Sequence, residues 1–129
     1  MVDVEVANRS GAAVDEPGAV ALAREVLAGE GVAAGELGIA FVRADEMRAL
    51  KREHLGADEP TDVLSFPIDG LDPLPDGEPR ALGDVVLCPD VVGDDWRWPL
   101  VHGLLHLVGH EHGTAMEARE RAYLGKEHR

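Results

Sequence analysis

Three histidines, His102, His106 and His112, are the residues of this chain whose types and spacing best suit chemistry. The first two are four positions apart, so on an α-helix their imidazoles project from one face, one turn apart. Gly109 permits the positive φ that ends a helix, after which the chain could bring His112 back as a third ligand. Three neutral imidazoles leave a tetrahedral ion with one open position, as in catalytic zinc sites. The spacing therefore predicts one zinc ion, or another divalent ion, per chain.

The residue after the first histidine argues against one familiar reaction. A zincin protease has a general-base Glu at that position, and this chain has Gly103, so a zinc metallopeptidase is a disfavoured alternative. His110 stays open: it could replace His112 as a ligand, act on a substrate as a catalytic residue, or point into solvent. Glu111 could hydrogen-bond a liganding imidazole, although a solvated turn residue is the simpler interpretation.

Length and charge limit the class of protein. The chain has 129 residues, which predicts a single domain over residues 1–129. The net charge of −13 disfavours general affinity for nucleic acid, but it leaves room for a local basic cleft. The densest basic cluster comprises Arg43, Arg48, Lys51 and Arg52.

Cysteine content and hydropathy indicate the compartment. Cys88 is the single cysteine, so no intramolecular disulfide forms, and its Val-Val-Leu-Cys context indicates a buried strand. The sequence shows no apolar run long enough to cross a bilayer and no basic region with an apolar core at the N-terminus. These features predict a cytoplasmic protein without membrane contact.

Hydrophobic periodicity predicts an alternation of strands and helices that would position the histidines. Asp45 is the expected N-cap of the second helix. Pro99 places the start of the histidine-bearing helix near Trp98. The expected strands are 2–6, 37–42, 61–66 and 82–87; the other helices are 17–28, 45–55 and 114–124; and 68–79 is a surface loop.

Two further motifs accompany the histidines and together resemble a known family. They are Thr-Asp-Val-Leu-Ser-Phe-Pro at 61–67 and Leu-Gly-Asp-Val-Val at 82–86, followed by His-Gly-Leu-Leu-His-Leu-Val-Gly-x-x-His at 102–112. In this order they resemble the YbeY family of bacterial rRNA-maturation endoribonucleases, over about residues 37–116. From the residues alone, Ser65 could line a cleft, although a serine with no assigned base is more often a bystander.

The resemblance implies a fold and an activity. The fold is α+β, with a small mixed, mostly parallel four-stranded sheet packed by helices and the three-histidine site on a helix and the following turn. The activity is metal-dependent cleavage of single-stranded RNA in maturation of the 16S rRNA 3′ end, and in ribosome quality control. The ligands map onto His102, His106 and His112, and Asp62 and Ser65 belong to the substrate cleft. The implied partners are RNA or rRNA, with the ribosome or ribosomal proteins as further candidates.

The chain departs from the family pattern at two places. The family has Tyr-Arg-Gly ahead of its Asp-x-Pro-Thr motif, and here Leu55 stands at the position of that arginine. Arg52, one helical turn earlier, is the candidate replacement. The stretch between Cys88 and His102 is also shorter, which predicts a truncated helix or a loop before the metal motif. A weakly active or non-enzymatic member that binds ribosome partners is therefore the main alternative.

Overall fold

The computed structural model describes residues 2–55, 62–75, 77–93, 95–110 and 113–124. Strands and helices follow one another along these residues much as the periodicity predicts. They are β1 (Val2–Asn8), α1 (Glu16–Gly29), β2 (Gly35–Phe41), α2 (Ala44–Leu55), β3 (Val63–Pro67), β4 (Ala81–Leu87), α3 (Pro89–Val92), α4 (Arg97–Leu107) and α5 (Thr114–Leu124).

The four strands form one mixed sheet in the order β1-β2-β4-β3. The pairs β1–β2 and β2–β4 are parallel, whereas β3 pairs antiparallel with β4 and forms one edge of the sheet. Pro67 is tolerated at the end of β3 because an edge strand need not donate every backbone N–H to a neighbour. The predicted α+β class with a mostly parallel sheet is therefore confirmed.

The larger hydrophobic core lies on one face of the sheet. Alternate residues of β2 and β4, including Ile39, Phe41 and Val85, point to this face because side chains alternate along a strand. Leu27 of α1 and Leu104 of α4 are fully buried against them. Helix α4 contacts α1, α5, β3 and β4, so this core fixes the helix that carries the histidines.

A smaller core on the opposite face holds α2 to the sheet. Met47 of α2 packs there with Leu64 of β3, Val86 of β4 and Cys88. Cys88 directly follows β4 and is fully buried, as its apolar context indicates, and this burial raises the pKa of its thiol.

Several element ends differ from the sequence prediction. Asp45 is not the N-cap of α2, because the helix begins at Ala44, whose N–H donates to Oδ2 of Asp90 at 3.0 Å. Asp90 belongs to α3, a four-residue helix in the stretch between Cys88 and His102, where a truncated helix or a loop was predicted. Helix α4 begins at Arg97, close to the predicted start. The predicted third strand began at Thr61, which lies outside the described residues; β3 begins at Val63.

No helix in the part of the chain that the structure describes combines the length and the hydropathy needed to span a membrane.

Candidate metal centre

His102 and His106 lie side by side on one face of α4. Their Nε2 atoms are 3.2 Å apart, and the two rings meet nearly at right angles, at 84°. Both histidines are only partly buried, while the residues around them on α4 pack into the core. The four-residue spacing therefore brings two ring nitrogens to one point at the protein surface, as predicted.

Hydrogen bonds at the other ring nitrogens fix how the two imidazoles are oriented. Nδ1 of His102 donates to Oε2 of Glu120 at 2.9 Å, and Nδ1 of His106 donates to the backbone oxygen of His110 at 3.0 Å. Because a carboxylate and a carbonyl only accept, a neutral ring at either position carries its proton on Nδ1. Both Nε2 lone pairs would then face the same point, where a cation would relieve their repulsion. Metal-binding histidines typically have such carboxylate and carbonyl partners.

The separation of the two nitrogens fits a zinc-sized ion. Two nitrogens that each lie about 2.0–2.1 Å from a tetrahedral ion are about 3.3–3.4 Å apart. The observed distance between the Nε2 atoms of His102 and His106 is 3.2 Å. These two side chains therefore satisfy both the spacing and the chemistry of a pair of ligands.

The third predicted ligand, His112, and its neighbour Glu111 lie outside the described residues. Among the residues that are described, no three histidines, cysteines or carboxylates form a group able to hold a metal ion. The three-histidine set thus stays a prediction, of which the structure brings together His102 and His106.

Gly103 shows why the chain has no protease-type glutamate after the first histidine. A Cβ at this position would lie 2.8 Å from Cγ1 of Val85 and 3.0 Å from Cγ2 of Val63. The hydroxyl of Ser65 donates to the backbone oxygen of Gly103 at 2.9 Å. Helix α4 therefore lies directly on β3 and β4 at this point, where a carboxylate has no room.

Ser65 and Asp62, the predicted substrate-cleft residues, lie along β3. The bond from Ser65 to Gly103 places this hydroxyl between β3 and α4, one residue along the helix from His102. Asp62 precedes β3 and is exposed, and its backbone oxygen accepts from the N–H of Cys88 at 3.1 Å. Both lie at or beside β3, the edge strand on which α4 packs. Their contact with substrate stays a prediction.

Arg52 lies in the last turn of α2, on the other side of β3 from the histidines. Its side chain is exposed. His54 in the same turn meets the ring of Phe66 edge to face, at 4.8 Å between centroids. Phe66 and Ser65 are adjacent on β3 and point to opposite faces, so in the described part of the chain β3 lies between the end of α2 and α4. The side chain of Leu55 and residues 56–61 lie outside the described part of the chain.

The side chain of His110 is engaged by a buried carboxylate. Its Nε2 donates to Oε1 of Glu30 at 2.7 Å, and the Glu30 side chain is 8% exposed. Oε2 of Glu30 accepts from Arg119 and from the Tyr123 hydroxyl, each at 2.6 Å. Burial raises the pKa of Glu30, but the hydrogen bonds from Tyr123, Arg119 and His110 outweigh it, so its pKa lies below the ordinary value.

The sequence did not predict the two carboxylates that accept hydrogen bonds from His102 and His110, which are Glu120 and Glu30. A signal for Glu120 was available, since it lies four residues from both Met116 and Leu124 on the buried stripe of α5. An acidic residue on such a stripe needs a partner, and His102 supplies it. For Glu30 the sequence offers no comparable signal, because it ends α1 and meets residues 80 or more positions away.

Comparison with known proteins gives consistent matches. The family model described as endoribonuclease YbeY matches residues 5–128. A protein named endoribonuclease YbeY from Salinispora tropica is 38% identical, covering 92% of this chain and 88% of its own. One of the same name from Acidothermus cellulolyticus is 41% identical, covering 96% and 87%. A solution structure from Thermotoga maritima has the same fold, with a TM-score of 0.56 at 21% identity over 96% of this chain and 87% of its own.

Proposed function

The chain belongs to the YbeY family of endoribonucleases, and from this premise we propose that it is a metal-dependent endoribonuclease of rRNA maturation. It is a hydrolase that cuts RNA internally. The observation that carries the metal dependence is the pair of Nε2 atoms of His102 and His106, 3.2 Å apart with both Nδ1 protons engaged elsewhere. In this proposal His112 completes the ligand set and residues 1–129 act as one domain.

The finer assignments extend this proposal. We propose zinc as the ion, because imidazole nitrogens suit it and no thiolate competes for it. The substrate is single-stranded RNA near the 3′ end of 16S rRNA, and the ribosome or its proteins are the partners, also in quality control. The proposed place of action is the cytoplasm, where ribosomes are assembled.

His102, His106 and the predicted ligand His112 would hold the zinc ion, which would polarise a phosphoryl oxygen and lower the pKa of bound water to roughly 7. The chain's own residues supply the rest. Glu120 holds the His102 ring by accepting from Nδ1, and the backbone oxygen of His110 does the same for His106. Ser65 and Gly103 fix α4 against β3, so the RNA strand is proposed to pass along the β3 edge beside these rings.

Arg52 is the proposed cationic contact to the RNA phosphate. It is exposed at the end of α2, and among the described residues β3 lies between that helix end and α4. A guanidinium can donate two parallel hydrogen bonds to a phosphate, which stabilises the charge that develops during cleavage. The net charge of −13 makes such a local cation more necessary for binding a polyanion.

We expect Arg52→Ala to reduce cleavage of single-stranded RNA by about tenfold or more, roughly 1.4 kcal/mol of transition-state stabilisation. Cleavage by the zinc-loaded protein should be slow and should weaken as salt is raised, because counterions compete for the phosphates. Initial rates on a labelled oligonucleotide at two salt concentrations measure both effects. Arg48→Ala on the same helix is the matched control. If the Arg52→Ala protein cleaves RNA like wild type, Arg52 is not the cationic contact to the phosphate.

We expect no hydrolysis of casein or short peptides, because Gly103 supplies no general base. The measurement is peptide release by the protein loaded with zinc, beside the same preparation of His106→Ala. Peptide turnover that survives purification and disappears in His106→Ala would show that another residue acts as the base. The assignment as a nuclease would then no longer be favoured over a zinc metallopeptidase.

A further inference from the structure

A cluster of four side chains, built around one buried carboxylate, lies beside the candidate metal centre. It consists of Glu30 at the end of α1, His110 in the segment after α4, and Arg119 and Tyr123 of α5, and is called here the Glu30 cluster. Both carboxylate oxygens are used: Oε1 accepts from His110, and Oε2 accepts from Arg119 Nε at 2.9 Å, Arg119 Nη2 at 2.6 Å and the Tyr123 hydroxyl at 2.6 Å. One carboxylate therefore ties the segment after α4 to two helices.

Residue 110 is also the backbone partner of a predicted ligand. Its carbonyl oxygen accepts from Nδ1 of His106 at 3.0 Å, and its N–H donates to the backbone oxygen of Leu105 at 3.0 Å. Gly109 makes this turn possible with φ of 99°. Residue 110 thus lies between the second predicted ligand, His106, and the third, His112. A shift of its backbone changes how the His106 ring is held and where the chain enters position 112.

We infer that the Glu30 cluster positions the metal centre: by holding the His110 side chain, it fixes the backbone oxygen that orients the His106 imidazole. This inference rests on the metal site of the proposed function. It assigns Glu30, Arg119 and Tyr123 a positioning role and gives the His110 ring the same role.

The contacts of Glu30 differ in kind from those of an ordinary surface ion pair. Its partner Arg119 is 42% exposed, but the Glu30 side chain is 8% exposed and accepts charge-assisted hydrogen bonds, which are about twice as strong as neutral ones. The Arg9–Glu46 pair has the same length, 2.6 Å, but its side chains are 51% and 37% exposed, and such pairs contribute little. Arg9–Glu46 joins the segment after β1 to α2, away from α4, and so provides a matched control.

The experiment measures zinc affinity in the purified full chain, by competition with a chromophoric chelator at neutral pH. His110→Phe keeps the backbone carbonyl and the ring size but removes the donor to Glu30, and Glu30→Gln removes the charge. We expect each to weaken zinc binding by about tenfold or more, the effect typical of residues that hold a metal ligand. His110→Gln, which keeps an N–H donor, should bind zinc more tightly than His110→Phe, and Glu46→Gln should stay within about twofold of wild type.

Two further readouts separate positioning from a general loss of stability. Thermal unfolding of the metal-free proteins gives stability alone, and the ¹⁵N spectrum of the His106 ring reports whether its proton stays on Nδ1. Altered His106 signals with weaker zinc binding in the folded His110→Phe protein support the inference. Unchanged zinc affinity in folded His110→Phe overturns it, even if the melting temperature falls, and leaves the proposed function intact.

The outcomes for the wild-type protein distinguish the two claims. A wild type that binds zinc but cleaves no RNA contradicts the proposed function and leaves the positioning role standing. If the wild-type protein binds no zinc, both the proposed metal centre and the positioning role of the Glu30 cluster are contradicted. Should Glu30→Gln fail to fold, the comparison of His110→Phe with His110→Gln decides the matter.

Discussion

His106→Ala should abolish zinc binding and RNA cleavage together. The substitution removes the Nε2 that faces His102 at 3.2 Å and the Nδ1 donor to residue 110, so both the ligand and its support are lost. A catalytic ion contributes several kcal/mol to the transition state; a loss of about 4 kcal/mol corresponds to roughly a thousandfold lower rate. Metal analysis should give about one zinc per wild-type chain and none in the variant.

His54→Ala is the matched control for the metal analysis. His54 contacts Phe66 on the other side of β3, so removing its imidazole should leave zinc stoichiometry unchanged. Full metal occupancy in a His102→Ala/His106→Ala double variant would contradict the assignment of the metal centre. Loss of zinc with unchanged RNA cleavage would instead separate the metal from the reaction.

Gly103→Glu, which recreates the zincin protease sequence, should destabilise the fold without creating a peptidase. Its Cβ would lie 2.8 Å from Val85 and 3.0 Å from Val63, and its carboxylate would be buried between α4 and the sheet. Overpacking and burial of an unpaired charge together should lower the free energy of unfolding by about 3 kcal/mol or more. Chemical denaturation of the metal-free protein measures this, and a casein assay checks for peptidase activity.

Two substitutions control for the helix and for the added charge. In an exposed helix, Gly→Ala raises stability by up to about 1 kcal/mol, so a Gly103→Ala protein that is less stable than wild type identifies the contact with the sheet. Ala118→Glu adds the same side chain at an exposed position of α5 and should change stability by less than about 0.5 kcal/mol. A stable, folded Gly103→Glu protein would contradict the packing argument.

Local patterns in the sequence predicted most elements of the fold, because strand and helix formation depend largely on residues that are close together in the chain. Apolar alternation at 2–6 and strand-forming apolar runs elsewhere predicted the four strands, and the position of Pro99 predicted the start of α4 to within one residue. The predictions failed where the partner was distant. Asp90 accepts from the N–H of Ala44, 46 positions away, so Asp45 lost the capping role that its local sequence suggested.

The sequence by itself determined the pairing of His102 with His106, because helical periodicity alone places two residues four apart on one face. It also determined the family, through motifs carried by short segments. Only the tertiary structure decided which carboxylates meet these histidines: Glu120 on α5 accepts from His102, and Glu30 at the end of α1 accepts from His110, across 18 and 80 positions of the chain. Such contacts arise when a buried carboxylate must find a donor during packing, and the donor's place in the sequence is set by the fold rather than by any local spacing.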